Sequence, residues 1–193
     1  MIGLPDSKRD ASGDSDQKMI IWNIDGEQIK TVIADEIYVK TIAFSKDGKY
    51  ILTGGGDNSA KLYTSDGEFI RAYKGHTCTI YQASFSPDMK SIILASCDKT
   101  TSIWTIEGEK LRSFDHHKDG VSAASFSPNG EQLVSASFDK KAALFDTDGN
   151  NLIWLSGHTE SINSAKFSDD GKYVLTAADD GTSMVWDLLG NPL

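Results

Sequence analysis

The chain has 193 residues, 39% hydrophobic and 24% charged, an ordinary globular composition with enough length for one sizeable core. Its 28 acidic and 19 basic residues leave a net charge of −9, and no Lys/Arg run exceeds "SKRD", which argues against direct binding of nucleic acid. No apolar run approaches the roughly 18–20 residues that span a bilayer, so no membrane association is expected.

The N-terminal stretch "MIGLPDSKRDASGDSDQK" is polar and has no apolar signal-peptide core. Two cysteines, Cys78 and Cys97, are too few for a disulfide framework. Both features point to the cytoplasm. The segment "KRDASG" (Lys8–Gly13) is too polar to be expected as a buried strand. "KMIIWNID" (Lys18–Asp25) and "EQIKTVIAD" (Glu27–Asp35) then read as two strands.

From there the chain repeats itself. Phe44, Phe85, Phe126 and Phe167 recur every 41 residues. Asp16, Asp57, Asp98, Asp139 and Asp180 keep the same period, as do Trp22, Tyr63, Trp104, Phe145 and Trp186. Gly26, Gly67, Gly108, Gly149 and Gly190 form a fourth series. Within each unit, "IYQASFS" alternates as a half-buried strand and "SPDMK", "SPNGE" or "SDDGK" turns the chain. "YILTGG" or "YVLTAA" reads as a strand buried on both faces. A tight turn carrying the periodic Asp leads to "AKLYTS" or "TSMVWDL", and "EFIRAYKGH" supplies a fourth strand. No long window has a 3.6-residue period, so no helix is expected. A sheet of four short strands cannot bury two apolar faces alone, but copies stacked around an axis can.

The stretch "GHTESINSAKFSDDGKYVLTAADDGTSMVWD" (Gly157–Asp187) resembles a WD40 repeat from end to end. It has the Gly-His, the F-S-x-D-G turn, the Asp six residues before Trp, and the closing Trp-Asp. Less complete copies cover Asp35–His76, His76–His117 and His117–His158, and together they span about 80% of the chain. The resemblance implies an all-β, WD40-type β-propeller. The division expected is a degenerate start at 1–16, a partial blade at 17–35, blades at 36–76, 77–117 and 118–158, and a final blade at 159–193 lacking its outer strand. These are about 4.7 repeats, so the expected shape is an incomplete propeller.

In that family a His, a Ser/Thr, an Asp and a Trp make a buried network. The physics is sensible, because a buried indole N–H needs an acceptor and imidazole can relay a hydroxyl to a carboxylate. The last unit carries all four as His158, Thr176, Asp180 and Trp186. The unit before it has His117, Ser135 and Asp139, with Phe145 for Trp. His76, Asp98 and Trp104 lack a hydroxyl, since Leu94 stands at that position. Thr53 and Asp57 occur with Tyr63 for Trp and Asp35 for His, and the first copy keeps Ser12, Asp16 and Trp22. One network is thus expected complete and the others partial.

Catalytic readings fare poorly. His76 and Cys78 are near in sequence, but His76 already has a place in the repeat. His116 and His117 have no companion ligands for a metal. "DTDGNN" (Asp146–Asn151) lacks the distal Glu of a calcium loop, and "TGGGDN" (Thr53–Asn58) lacks the Lys of a phosphate loop. No cofactor, metal or catalytic set is expected. The resemblance instead implies a protein-interaction scaffold, or a structural portion of a longer propeller chain. The loops bearing the His and Asp positions share a face, and they offer Cys78, Asp119, Glu160, Phe138 and Asp179 as candidate contacts for a protein or peptide. Phe138 reads equally as a partner's anchor or as packing on the adjacent blade.

Overall fold

The computed structural model describes residues 2–3 and 9–193, with side chains from residue 9 onward. Among these, the regular structure is all strand. The first sheet orders β1 (Ile2–Gly3), β2 (Arg9–Gly13), β3 (Lys18–Asn23) and β4 (Gln28–Ile33). The second holds β5 (Val39–Phe44), β6 (Tyr50–Gly55), β7 (Ser59–Thr64) and β8 (Phe69–Lys74). The third holds β9 (Ile80–Phe85), β10 (Ser91–Ser96), β11 (Thr101–Thr105) and β12 (Lys110–Phe114). The fourth holds β13 (Val121–Phe126), β14 (Gln132–Ser137), β15 (Lys141–Asp146) and β16 (Ile153–Ser156). The fifth has three strands, β17 (Ile162–Phe167), β18 (Tyr173–Ala178) and β19 (Ser183–Asp187).

All pairings within the sheets are antiparallel. The first strands β5, β9, β13 and β17 lie side by side and line the axis, and the periodic phenylalanines end them. The turn that follows is built the same way each time. Ser45 Oγ donates to Asp47 at 2.8 Å and accepts the Tyr50 N–H at 2.9 Å. Ser86 with Asp88, Ser127 with Asn129, and Ser168 with Asp170 repeat the first bond. The turn closes on a left-handed residue, Gly48, Met89, Gly130 or Gly171, with φ of 70°, 63°, 77° and 70°. Glycine takes that conformation without the steric cost that Met89 bears.

The core lies between the sheets. Leu52, Leu62 and Tyr73 of the second blade meet Ile80, Ile92, Leu94 and Trp104 of the third. The next two junctions repeat the contact with Ile93 and Ile103 against Leu133 and Phe145, then Val134 and Leu144 against Val174 and Trp186. The middle strands β6, β10 and β14 are buried nearly throughout, whereas β18 alternates exposed and buried along its length.

One expectation needs correction. Arg9–Gly13 is a strand despite its polarity, and it pairs with β1 and β3. The reason lies in its position at one end of the stack. Only one face meets a neighbouring sheet, so one buried apolar side chain, Ala11, suffices. Arg9 on this strand also donates to the Ser65 carbonyl at 3.0 Å. The segments read as a degenerate start and a partial blade therefore form one four-stranded sheet. In it β4, drawn from "EQIKTVIAD", pairs with β3.

Candidate functional site

The loops before the first strands and the turns between second and third strands open on one face, and buried networks fix their geometry. In the last blade His158 Nδ1 lies 3.0 Å from Asp180 Oδ2 and its Nε2 lies 2.8 Å from Thr176 Oγ1, which accepts the Trp186 indole N–H at 2.8 Å. Proton bookkeeping gives the direction of the chain. A carboxylate only accepts, so Nδ1 donates, and Nε2 is left to accept the hydroxyl proton. Asp180 also takes the Thr159 N–H at 2.9 Å, which clamps the His loop to the Asp turn. Its carboxyl is held well below the carboxylate range by the Thr182 hydroxyl and the Thr159 N–H.

The fourth blade matches, with His117 Nδ1 at 3.0 Å from Asp139 Oδ2 and Nε2 at 2.8 Å from Ser135 Oγ. Phe145 contributes no donor but is buried edge-on against Phe114 and His116. Burial depresses the His117 pKa, against the pull of Asp139. Burial alone would raise Asp139, but the Lys118 N–H and His117 outweigh it and hold it low.

The third blade corrects the expectation of a missing hydroxyl. His76 Nδ1 is 2.8 Å from Asp98 Oδ2, and its Nε2 is 2.6 Å from Ser102 Oγ, which also accepts the Trp104 indole N–H at 2.8 Å. Ser102 is the register partner of Leu94 on the neighbouring strand. The hydroxyl has crossed one strand, and the network is complete. The legible signal was a serine two residues before the periodic Trp. Burial depresses His76 as it does His117, with Asp98 opposing.

In the second blade another cross-strand residue takes over. Lys61, the register partner of Thr53, pairs with Asp57 and donates to the Ala34 carbonyl at 3.0 Å. Asp35, buried where the His would stand, accepts the Ile37 and Tyr38 N–H groups at 2.7 and 2.9 Å. Burial raises its pKa, and the Asp57 charge adds to the shift. In the first blade Trp22 donates to Ser12 Oγ at 2.9 Å, while Asp16 is exposed and pairs with Lys18.

On the face these networks support, Phe138 is half-buried with its ring edge-on to Tyr81 of the preceding blade, 5.3 Å between centroids. Lys40 Nζ lies 5.8 Å from the Tyr81 ring, and Tyr38 hydrogen-bonds Thr79 at 3.0 Å. A cavity of about 690 Å³ at the axis is lined by Lys40, Tyr81, Gln82, Phe138, Asn163 and Lys166, among others. Tyr38, Tyr81 and Lys40 went unmarked in the sequence because nothing in the repeat distinguishes them. The acidic candidates are locally engaged: Asp179 by Asn163, Glu160 by Lys140 at 3.5 Å, and Asp119 by the Gly120 N–H at 2.8 Å. Cys78 is joined to Cys97 by a disulfide with Cα atoms 5.3 Å apart. Their positions are equivalent to Asp119/Phe138 and Glu160/Asp179, and the same backbone bond holds each pair. Cys97 N–H reaches the Thr79 carbonyl at 3.0 Å, as Phe138 N–H reaches Gly120 at 3.0 Å and Asp179 N–H reaches Ser161 at 2.9 Å. Among the described residues no cluster of His, Cys, Asp and Glu suits a metal ion.

The family described as "WD domain, G-beta repeat" matches at residues 26–64, 67–105, 108–146 and 149–187. The chain belongs to the WD40 family. Each WD40 match is out of phase with the sheets, taking the outer strand of one blade and the first three strands of the next. The first WD40 match begins at Gly26, so β1–β3, three of the four strands of the first blade, lie outside the matched repeats. WD40 repeats generally serve as protein-interaction scaffolds. No curated protein matches the chain closely enough to count as a relative.

Proposed function

We propose that the protein is a non-enzymatic scaffold that docks a protein or peptide on the loop face around the axis, in the cytoplasm. The observation that carries this reading is the Lys40–Tyr81–Phe138 platform beside the cavity of about 690 Å³. Rigid aromatic side chains at the centre of a contact surface supply most of the energy of such interfaces. Here the rings are set by β-strand ends and network-clamped turns, so little ordering cost remains on binding. Phe138 serves both readings at once, since its packing on Tyr81 pre-orients the exposed part of its ring. Asp119, Glu160 and Asp179, on the loops and turns of the fourth and fifth blades, add polar groups to the same face, and Cys78 sits in the loop before Tyr81. The imidazoles of His76, His117 and His158 and the carboxylates of Asp98, Asp139 and Asp180 are committed to the buried networks, which speaks against a catalytic use of those groups.

A pull-down from source lysate tests the proposal. Phe138→Ala and Tyr81→Ala should lose the captured protein. Leu111→Ala, at an exposed site on the outer strand β12, should keep it. Equal capture by all three variants would refute docking on the loop face.

A further inference from the structure

Positions equivalent by the 41-residue period are treated alike at every internal junction and differently at the two ends of the stack. Leu52, Ile93 and Val134 face the following blade and are 0% exposed, whereas their counterpart Leu175 is 52% exposed. Leu62, Ile103 and Leu144 are buried in the same way, whereas Val185 is 37% exposed. Tyr173 shares this face by the strand alternation and is 41% exposed. The tail of the stack thus presents Tyr173, Leu175 and Val185 without a blade over them. At the head the complementary surface is left open by the described residues. Tyr63, Trp104, Phe145 and Trp186 are buried against the preceding blade, but their counterpart Trp22 is only half-buried. Ile20 and Ile33 lie on the same face as Trp22 by register, and Ile33 is 65% exposed.

We infer that the tail face of one copy docks on the head face of a second copy, continuing the stack. Such a contact continues an interface the molecule already makes. Each internal junction stacks a tail-type face (Leu52 and Leu62, Ile93 and Ile103, Val134 and Leu144) on a head-type face carrying the periodic aromatic. Among the described residues the chain carries one unused face of each type, so its two ends are complementary to each other. Exposed apolar sheet faces of this kind favour association. Such a contact is heterologous, and every copy added leaves a free head and a free tail, so growth proceeds until a ring closes or continues as a filament.

Two blocked variants of the 193-residue chain test this. Leu175→Arg with Val185→Glu blocks the tail, and Trp22→Ala with Ile33→Asp blocks the head. Light scattering coupled to size exclusion should show wild-type mass rising with concentration. Each variant alone should stay at 21.0 kDa, with the far-ultraviolet dichroism of the wild type. An equimolar mixture of the two should reach twice that mass and stop, because it can form one junction only. Wild type that stays monomeric to about 100 µM, a mixture that stays monomeric while wild type assembles, or a single variant that assembles like wild type would each overturn the proposal. Should either double variant lose its sheet spectrum, Tyr173→Lys and Ile33→Lys replace them with the same outcomes.

Discussion

Leu94 and Ser102 face each other across β10 and β11, and the hydroxyl that the repeat places on the second strand is supplied there by the third. Ser102 Oγ is the sole link between the buried His76 ring and the Trp104 indole among the bonds formed. Its removal strands Nε2 and the indole N–H, and each unsatisfied buried group costs roughly 1–3 kcal/mol. Ser102→Ala should therefore lower the urea midpoint clearly, and Leu94→Thr in that background should restore part of it by returning the hydroxyl to its usual strand. Unchanged midpoints for Ser102→Ala would contradict the network.

The fold was legible because it rests on four series of one period, and each maps onto a physical need. The Phe series ends the axial strands, the Gly series takes positive φ in the closing turns, and Asp98, Asp139 and Asp180 of the Asp series clamp the preceding loop. Ser102 and Lys61 were illegible in a column-by-column reading. A strand pair brings two residues together that are eight positions apart in sequence, so a function can move to the opposite strand without changing place in space. The strand Arg9–Gly13 was missed for a different reason. Burial on both faces is a property of blades with two neighbours, and an end blade escapes it.

In the second blade, Lys61 stands between two carboxylates. Its side chain and that of Asp57 are largely buried, and Asp35 is buried beside them. Lys61→Met leaves two acids facing each other, and breaking such a pair costs roughly 3 kcal/mol. Asp35 is already raised by burial, with Asp57 adding to the shift. A raised carboxylate stabilises the fold below its unfolded pKa, and that contribution is lost as pH rises through the folded value. The deficit of Lys61→Met should accordingly be largest at pH 7 and shrink towards pH 4. A deficit that does not vary with pH would rule out the facing acids as its cause.

The buried imidazoles set a second pH dependence. Burial holds His76 and His117 below the ordinary histidine value against Asp98 and Asp139. The unfolded chain then protonates these positions near pH 6.5, before the folded chain does. Stability is full above that pH and falls as pH drops through it, by up to about 1.4 kcal/mol per pH unit for each histidine. Asp98 and Asp139 act in a lower window. Burial raises them, but hydrogen bonds to Thr100 and Thr77 in one case, and to Lys118 and His117 in the other, leave both below the usual value. Their contribution persists until pH falls below about 4. Urea midpoints should be lower at pH 5.5 than at pH 7.5, with a shallower slope in His117→Asn. Midpoints that coincide across this range would show that the imidazoles are not buried as described.

The Cys78–Cys97 bond spans 19 residues of sequence and ties the His loop of the third blade to its Asp turn. A cross-link closing a loop of this size stabilises by about 3 kcal/mol, chiefly by restricting the unfolded chain. The folded positions need little rearrangement on reduction, because the Cys97 N–H to Thr79 bond and the Ser96 hydroxyl to Cys78 carbonyl bond, at 3.0 and 2.9 Å, hold the two segments together independently. Treatment with dithiothreitol should thus lower the urea midpoint while leaving the native dichroism unchanged. The Cys78→Ser/Cys97→Ser variant should melt like the reduced protein and ignore the reductant. In a reducing compartment the bond would open, and the open form would be the one a partner meets. Thiol titration of the untreated protein in denaturant should find no free cysteine; two free thiols, or identical melts with and without dithiothreitol, would show that the bond does not form.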